Sequence, residues 1–325
     1  MLRTRALALQ AVREFFNAHS YLEVDTPCLS AETVVDAWLD PPGINTSNGR
    51  KFLQTSPEAL MKRLLAAGSG SIWQAARVFR NGERGHRHNP EFTMLEWYGV
   101  DSTWLQQMQL TELLVREVLN QIPQNRCLLP AGSFQVLTYE QAFLHALNCN
   151  PHSCSDELLR QLAQQHTDSQ DEFLQIAARD DLLNLLLGVV IEPRLGCRNG
   201  QPFPQFLCDY PPSQAALAVT EPAHPTEKST LVARRFELYI NGIELCNGYQ
   251  ELQNPAELQQ REQQSNQLRY ADQRDPLPGA PRLVAAMQHG LPECSGVALG
   301  FDRLLMLACG TDQIADVLPF SDDRA

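Results

Sequence analysis

The Asn-Gly dipeptide at residues 241–242, in the middle of the strand-rich segment 232–252, is the feature that most restricts the fold of this chain. Asn-Gly between two alternating runs of strand-forming residues is the strongest short signal for a two-residue β-hairpin turn. A turn of this kind fixes the pairing of the two strands, so that Tyr239 opposes Glu244. The segment therefore predicts an antiparallel hairpin that any candidate fold must contain.

The predicted pairing brings two acidic residues to one face of the hairpin. Glu237 opposes Cys246 in this register, and Glu237 and Glu244 become diagonal neighbours roughly 7–8 Å apart. Two carboxylates at such a distance suit a Mg²⁺ ion that is shared with substrate phosphates. A bulge at 247–248 would turn Glu251 to the same face. The pattern is also compatible with a solvated acidic face on an edge hairpin.

A charged connection between two predicted strands, 71–79 and 92–100, forms a second candidate site. Arginine can bind phosphate or carboxylate through two parallel hydrogen bonds, and Phe92 can stack on a base. The histidines are not expected to hold a metal, because no third soft ligand is nearby. A surface loop with scattered charge is the alternative. The basic side chains of the connection include Arg80, Arg84, His86 and His88.

Local signals place helices between the strand-rich ends of the chain. Apolar residues at helical spacing predict a first helix up to about His19. Ser56, Pro57 and Glu58 suit the start of a second helix, because they supply a capping oxygen, a preset φ angle and a negative charge. Segment 103–187 is predicted to be mostly helical. Shorter elements are predicted at 255–269, 283–289, 295–299 and 302–308.

The order of these elements favours one α+β domain over residues 1–325. Length alone would suggest about two domains, at roughly 150 residues each. Residues 297–300 form a strand that ends in Gly300, which allows a nucleotide to approach the backbone closely. Arg303 opens the next helix, where an arginine is usually an exposed surface residue.

Composition limits the classes of partner. The chain has 26 Lys and Arg against 38 Asp and Glu, which gives a formal net charge of −12. Such a chain has no general affinity for a nucleic-acid backbone, although it can bind a basic protein surface. No apolar run approaches the roughly 20 residues that span a bilayer, so no membrane segment is expected. The amphipathic N-terminal segment does not resemble a signal peptide.

The cysteines point to a reducing compartment. There are nine, and none falls in a C-x-x-C pair. An odd number at irregular spacing argues against a disulfide framework or a zinc site. We therefore expect reduced cysteines in a cytoplasmic protein.

Several segments resemble the signature motifs of the lysyl-type class II aminoacyl-tRNA synthetases, in the order of that family. The resemblance implies a class II catalytic core of α+β type. Its sheet is mainly antiparallel and flanked by helices, and a helical insertion at about 101–200 separates motifs 2 and 3. The matching segments are 26–27 for motif 1, 79–81 and 88–96 for motif 2, 241–248 for the lysine-specific stretch, and 296–304 for motif 3.

Within that family the chain resembles the elongation factor P–(R)-β-lysine ligases of bacteria. These paralogues lack the N-terminal anticodon-binding domain, which is also expected to be absent here. The resemblance implies that (R)-β-lysine is activated with ATP and transferred to a lysine side chain of elongation factor P. It further implies Mg²⁺, a homodimer formed through motif 1, and no action on tRNA.

The resemblance also implies roles for individual residues. Arg80 and Arg303 are the expected catalytic residues, and Glu237 and Glu244 the expected Mg²⁺ ligands. The residues expected to bind ATP are Arg80, Asn81, Gly82, Glu83, His88, Asn89, Phe92, Glu244, Leu245, Gly300 and Arg303. The residues expected to bind the amino acid are Ser56, Pro57, Glu58, Tyr98, Asn247 and Glu251.

Two positions depart from the lysyl-tRNA synthetase pattern. Gly82 stands where motif 2 commonly has Glu, and Glu83 is the residue that would replace it. Ala298 stands where lysyl-tRNA synthetases generally have Gly, which together with Ser56 would reshape the pocket toward a β-amino acid. The alternatives are a truncated lysyl-tRNA synthetase paralogue that acts on tRNA or releases free lysyl-adenylate, and a silent module that only binds ligand. Gly82 slightly favours the silent module.

Overall fold

The computed structural model describes residues 1–167, 172–224 and 227–325, with the backbone alone for residue 172 and for residues 227–229. The chain divides into two compact units. Unit 1 comprises Met1–Cys127 and Glu251–Ala325, and unit 2 comprises Leu128–Gln250. The single domain over 1–325 stays a prediction.

The secondary structure alternates between short strands and helices along the chain. The described helices are α1 (Leu2–Ala18), α2 (Glu58–Ala66), α3 (Trp104–Gln121), α4 (Tyr139–Leu147), α5 (Asp156–His166), α6 (Glu172–Ile176), α7 (Arg179–Leu186), α8 (Pro255–Ala271), α9 (Pro281–Gly290) and α10 (Phe301–Cys309). The described strands are β1 (Leu22–Glu23), β2 (Leu29–Ser30), β3 (Gly43–Thr46), β4 (Gly49–Leu53), β5 (Ile72–Phe79), β6 (Glu91–Val100), β7 (Gln135–Thr138), β8 (Cys197–Arg198), β9 (Gln201–Pro202), β10 (Gln205–Tyr210), β11 (Thr220–His224), β12 (Glu227–Ile240), β13 (Ile243–Gln250) and β14 (Cys294–Gly300).

Unit 1 is built on an ordered set of four strands. Strand β6 pairs antiparallel with β5 on one side and with β14 on the other, and β1 pairs parallel with β5. Helix α1 covers one face of this set, where Phe16 stacks on Trp73 at 4.8 Å and lies 5.4 Å from Trp97. Strands β2, β4 and β3 form a separate small sheet. The α+β prediction is confirmed in this unit.

The buried stripe of α1 differs from the one expected from apolar spacing. Leu2, one of the apolar residues at helical spacing, is 67% exposed, whereas Arg5 is buried. Arg5 forms an ion pair with Asp302 at the start of α10 and donates a hydrogen bond to Thr93 Oγ1 on β6. The other oxygen of Asp302 accepts from the Thr93 backbone N–H at 2.7 Å. A charged residue can occupy this face because its partner is buried with it.

The predicted hairpin lies in unit 2 and is confirmed. Asn241 and Gly242 have φ angles of 52° and 65°, the left-handed values that a two-residue turn between twisted strands requires. Strands β12 and β13 pair with Tyr239 opposite Glu244, as expected. Strands β10, β7 and β11 complete the set around β12, in which β10 lies between β12 and β7 and β11 pairs with β12.

One part of the predicted hairpin register is wrong. Glu237 opposes Asn247 instead of Cys246, because the register shifts between Leu238 and Tyr239. The partners of these two residues are Cys246 and Glu244, so Leu245 is an extra residue on β13, and the bulge lies there instead of at 247–248. Glu237 and Glu244 nevertheless remain on one face of the hairpin. Glu244 lies directly opposite Tyr239, and Glu237, two residues before Tyr239 on β12, points to the same face as Tyr239.

Helices occupy much of the region between β6 and β10. A capping box begins α4, in which Thr138 Oγ1 accepts a hydrogen bond from the Gln141 backbone N–H. Helices α4, α5 and α7 share a core with the strands of unit 2, to which Tyr139, Phe143 and Leu182 contribute fully buried side chains. Residues 168–171 of the predicted helical segment lie outside the described residues. Within the described ranges, every helix is too short or too polar to cross a membrane.

Replacing Asp302 tests the buried link between α1, β6 and α10. Asp302→Ala leaves the Arg5 guanidinium buried without its anion, so we expect the free energy of unfolding to fall by roughly 3–5 kcal/mol. The double variant Arg5→Met/Asp302→Ala should recover part of that loss, because the unpaired charge is gone. Urea denaturation followed by circular dichroism measures both.

The exposed Asp312 on the segment after α10 provides the control, as Asp312→Ala removes a carboxylate that faces solvent. A loss for Asp302→Ala no larger than that for Asp312→Ala would show that the buried pair does not hold these elements together.

Candidate active site

One face of β6 carries most of the predicted site residues of unit 1. Successive side chains on a strand point to opposite faces, so Phe92, Glu96 and Tyr98 share one face. Thr93 and Trp97 lie on the other, against α1. Phe92 and Glu96 are four residues apart, which corresponds to about 13 Å along the strand. The strand therefore offers two subsites on one surface.

The neighbouring strand β14 presents two small residues beside this surface. Gly296 and Ala298 on β14 lie directly opposite Tyr98 and Glu96. A Cβ atom at Gly296 would lie 2.4 Å from Glu251 Oε1 and 2.4 Å from the Tyr98 ring, so any larger residue would displace both side chains. Ala298 has the position predicted to reshape the amino-acid pocket, since its side chain lies beside Glu96.

A buried carboxyl group forms the floor of the first subsite. Glu96 is 2% exposed, and it accepts hydrogen bonds from Tyr98 Oη at 2.6 Å and from Ser56 Oγ at 2.8 Å. Burial, with a smaller contribution from the charge of Glu58, raises the pKa of Glu96 to about 8. Glu96 is therefore largely protonated at neutral pH in the ligand-free protein.

The second helix presents its first turn to this subsite. Helix α2 begins at Glu58 with Pro57 as the N-cap residue, one residue later than expected. Ser56 accepts a hydrogen bond from the Glu58 backbone N–H at 3.0 Å. Ser56 therefore connects the helix start to Glu96, and the three residues predicted at this point lie together.

A buried ion-pair network connects α2 to the segment after β13. The Nζ atom of Lys62 lies 2.5 Å from Glu58 Oε1 and 2.5 Å from Glu251 Oε2. Lys62 and Glu251 are each 2% exposed. Burial alone would lower the pKa of Lys62, but the charges of Glu251 and Glu58 outweigh it and raise that pKa. The ammonium group therefore stays charged.

The second subsite centres on Arg80, at the end of β5. Its guanidinium lies over the Phe92 ring, 5.1 Å from the centroid, and its Nη1 is 3.5 Å from Glu83 Oε1. Gly82 has a φ of 79°, a left-handed turn value that glycine adopts without strain. The turn brings Glu83 to Arg80, the contact expected if Glu83 replaces the motif 2 carboxylate. Asn81 donates its backbone N–H to Asp40 O at 2.8 Å.

One polar atom of this subsite points to a ligand. Arg80 Nε is buried and has no hydrogen-bond acceptor among the described residues. A buried donor of this kind is expensive to leave unsatisfied. A phosphate or carboxylate oxygen would satisfy it, so the residues present suit the anionic groups of a nucleotide and an acid.

The connection between β5 and β6 is held by contacts from the C-terminal segment and α10. His88 Nε2 lies 2.9 Å from Arg303 Nη2, and burial followed by the Arg303 charge lowers the His88 pKa. Asn89 Oδ1 accepts from the Asp322 backbone N–H at 3.0 Å, and its amide donates to Glu91 O at 2.7 Å. The Asn89 side chain thus fixes the shape of the connection. At Gly300 a Cβ would make only ordinary contact with Arg303.

In unit 2, Glu237 is surrounded by hydrogen-bond donors. Tyr210 and Tyr239 each donate a hydroxyl to Oε2 at 2.6 Å, while Arg235 and Asn247 donate to Oε1. Four donors occupy the four lone-pair sites of the carboxylate. A directly bound Mg²⁺ would therefore have to displace one of them, and the longest contact is with Asn247 at 3.3 Å.

Glu244 and Leu245, the other predicted ligands of this hairpin, lie next to each other at the bulge. The bulge gives Leu245 no partner in the register, which frees part of its backbone from the strand pairing. Within the described part of the chain, no group of three or more His, Cys, Asp or Glu side chains is arranged to hold a metal ion. The Mg²⁺ roles of Glu237 and Glu244 stay predictions.

Comparison with known proteins gives the family. The profile of the tRNA synthetases class II (D, K and N) matches residues 1–324. The chain is 44% identical to the elongation factor P--(R)-beta-lysine ligase of Vibrio cholerae serotype O1, over 100% of this chain and 96% of the relative. Identity is 42% to the protein of that name from Salmonella typhi and 41% to the one from Pectobacterium carotovorum subsp. carotovorum, each over 100% of this chain and 95% of the relative.

The chain belongs to the class II tRNA synthetase family, and within it to the elongation factor P–(R)-β-lysine ligases. The resemblance inferred from the motifs is therefore confirmed. The class II catalytic core predicted from the sequence is confirmed by the same match.

The sequence did not identify two buried residues of the first subsite. Lys62 was not singled out, although its position four residues after Glu58 on a helix would have placed the two side chains together. Glu96 was not assigned a role either, although it lies within the motif 2 segment 88–96. Its alternation with Tyr98 was the available signal for a common face.

Glu96 gives the protein a specific pH dependence. The folded protein retains a proton that the unfolded chain releases near pH 4.5, so this group lowers the free energy of unfolding as the pH rises from about 4.5 to about 8. Glu96→Gln mimics the protonated form. We expect its melting temperature to exceed that of the wild type by roughly 2–8 °C at pH 8.5 and to match it near pH 4.5.

Differential scanning calorimetry of both proteins between pH 5 and 9 measures the difference. The exposed Glu91→Gln is the matched control on the same strand. Parallel curves for Glu96→Gln and the wild type would mean that Glu96 is ionised in the folded protein.

Proposed function

We propose that this protein is an ATP-dependent ligase that activates (R)-β-lysine as an acyl-adenylate and transfers it to a lysine side chain of elongation factor P. The observation that carries the proposal is the pair of carboxylates joined by Lys62, the partly buried Glu58 and the buried Glu251, beside the protonated Glu96. A diamino acid has two ammonium groups for two carboxylates. The names of the relatives, which are ligases of this type, support the same activity.

The amino acid would lie along β6 with its amines at one end and its carboxylate toward Arg80. Glu58, with Ser56 and Pro57, receives the amine near the carboxylate, and Glu251 with Tyr98 receives the distal ammonium. The depth of burial of Glu251 supports the second role, because a desolvated carboxylate interacts strongly with a cation. Asn247 is proposed to contact the amino acid as well.

The first chemical step is in-line attack of the substrate carboxylate oxygen on the α-phosphorus of ATP. The new P–O bond forms as the bond to pyrophosphate breaks, and no enzyme residue need act as a nucleophile. Arg80 and Arg303 offset the negative charge that develops between the two anions, and positioning supplies much of the acceleration. The unsatisfied Arg80 Nε supports this role, because it is a buried donor that finds no acceptor in the described part of the chain.

The nucleotide would extend from Arg80 toward α10. Phe92 is proposed to stack on adenine, and Asn81, Gly82, Glu83, His88, Asn89, Leu245 and Gly300 are proposed to complete the ATP site. Mg²⁺ would screen the phosphate charge, as it does in most ATP-using enzymes. Glu244 is proposed as a ligand, and Glu237 would join it only after giving up one of its four donors.

The second chemical step transfers the acyl group to the acceptor. The lysine Nζ of elongation factor P attacks the carbonyl carbon of the mixed anhydride, the C–O bond to AMP breaks, and the amine loses a proton. The amine must be neutral to react. An acyl transfer to a protein amine gives an amide, which distinguishes this product from the ester of a charged tRNA.

Localisation and assembly are proposed on the same basis. The acceptor is a translation factor, so the ligase is proposed to act in the cytoplasm, without membrane association and without a tRNA partner. The nine cysteines all lie within the described residues and form no disulfide, which supports a reducing compartment. A homodimer formed by the motif 1 region is proposed because Leu2 and Leu7 of α1 are 67% and 41% exposed.

An assay with two acceptors tests the proposed activity. The protein is incubated with ATP, (R)-β-lysine or L-α-lysine, and either elongation factor P or total tRNA. We expect ATP–pyrophosphate exchange that depends on the amino acid, and intact-mass spectrometry should show the factor gaining one lysyl unit, with preference for the β isomer.

Two outcomes would exclude this function in favour of a specific alternative. Charged tRNA with an unmodified factor would identify a lysyl-tRNA synthetase paralogue. Absence of exchange under every condition would identify a module that binds ligands without catalysis.

The role of Glu251 gives a second prediction. Glu251→Gln removes a buried anion that the distal ammonium needs, so the KM for the amino acid in pyrophosphate exchange should rise roughly 10- to 100-fold. The Kd for ATP, measured by titration calorimetry without amino acid, should change by less than about twofold. The exposed Glu293→Gln serves as control. Equal loss of amino-acid and ATP binding would contradict the assignment.

A further inference from the structure

Lys62 is a buried cation to which neither the motifs nor the proposed chemistry assigns a role. It lies one helical turn after Glu58, and its side chain is 2% exposed. A lysine is almost never fully buried unless it is paired. Here its ammonium contacts the two carboxylates that are proposed to receive the two amines of the substrate.

We propose that Lys62 is a positioning residue, which holds the carboxylates of Glu58 and Glu251 in fixed places and sets the net charge of the pocket to suit a diamino acid. This inference rests on the proposed function, since it assumes that the two carboxylates bind the substrate amines. Lys62 itself need not touch the reacting atoms.

The surroundings of Lys62 show why a cation is needed there. Two carboxylates that meet in a buried site repel each other, and one of them takes up a proton if nothing neutralises the pair. Lys62 offsets this repulsion through its contacts with both. The groups that face Lys62 from the surrounding elements are Glu58 on α2, Glu96 and Tyr98 on β6, Glu251 after β13, and the Cys294 thiol on β14.

A count of charges links this arrangement to the substrate. Lys62 contributes one positive charge against the carboxylates of Glu58 and Glu251, and burial raises the pKa of Glu96, which favours its neutral form. With both paired carboxylates ionised, the pocket carries one net negative charge. A diamino acid with both amines protonated and its carboxylate ionised carries one net positive charge, so the two match.

Removing Lys62 would change the protonation of the pocket. Burial already raises the pKa of Glu251, and the Lys62 charge opposes that rise. Without Lys62 the carboxylate would be protonated at neutral pH and could no longer attract an ammonium group. Affinity would return at higher pH, where the carboxylate ionises again. A side chain that only filled space would produce no such pH dependence.

The test compares Lys62→Met with Lys62→Arg in pyrophosphate exchange with (R)-β-lysine between pH 6.5 and 9.5. We expect Lys62→Met to raise the KM for the amino acid about tenfold or more at pH 7, with recovery of most of the loss by pH 9.5. The KM for ATP should stay within about twofold. Lys62→Arg keeps the charge and should follow the wild-type pH profile, with a smaller loss. Arg63→Met, on the same helix and only partly buried, is the control.

The outcomes separate this inference from the proposed function. A wild type without exchange would overturn both. Active wild type with an unchanged KM in Lys62→Met, or with a loss that is the same at every pH, would overturn the role of Lys62 alone. If Lys62→Met does not fold, Lys62→Arg decides, because a shifted pH profile in a variant that retains the charge would contradict the proposal.

Discussion

The buried carboxylate of Asp302 is the interaction on which the arrangement of unit 1 depends. One oxygen pairs with Arg5 of α1 and the other accepts a hydrogen bond from the backbone N–H of Thr93 near the start of β6. Helix α10, which follows β14, is thereby fixed to helix α1 and to strand β6. Since the side chains of a strand alternate, holding Thr93 on the rear face of β6 also determines where Phe92, Glu96 and Tyr98 point on the front face. A contact far from the substrate therefore positions the residues that are proposed to bind it.

Much of the local structure could be predicted because its causes lie within a few residues. The turn at 241–242 needs two residues that accept left-handed φ angles, and Asn-Gly supplies them. The start of α4 needs a capping oxygen and a reciprocal side chain, and Thr138 and Gln141 supply those. The common face of Glu237 and Glu244 followed from the turn, and it survived an error in the register beyond it.

The errors arose where distant residues decide the structure. Arg5 is buried because of a carboxylate 297 positions away, a relation that apolar periodicity cannot reveal. The bulge at Leu245 has no local signal comparable to Asn-Gly, so the register beyond it was displaced by one residue. Lys62 and Glu251 meet only in the folded chain. The family motifs identified Glu58 and Glu251 as carboxylates of the site. The buried cation Lys62 and the neutral acid Glu96 became apparent only in the structure.

The pocket of unit 1 combines charged groups that would each be unfavourable in isolation. Glu251 is buried beside Gly296. A Cβ at this position of β14 would collide with the carboxylate, so the buried Glu251 requires a glycine there. Glu96 avoids a third negative charge by retaining its proton, because burial raises its pKa to about 8. Lys62 balances one of the two charges that remain. What is left unbalanced is a single negative charge and an unsatisfied donor on Arg80. A bound ligand that is cationic at one end and anionic at the other would satisfy both, and the proposed substrate has this distribution of charge.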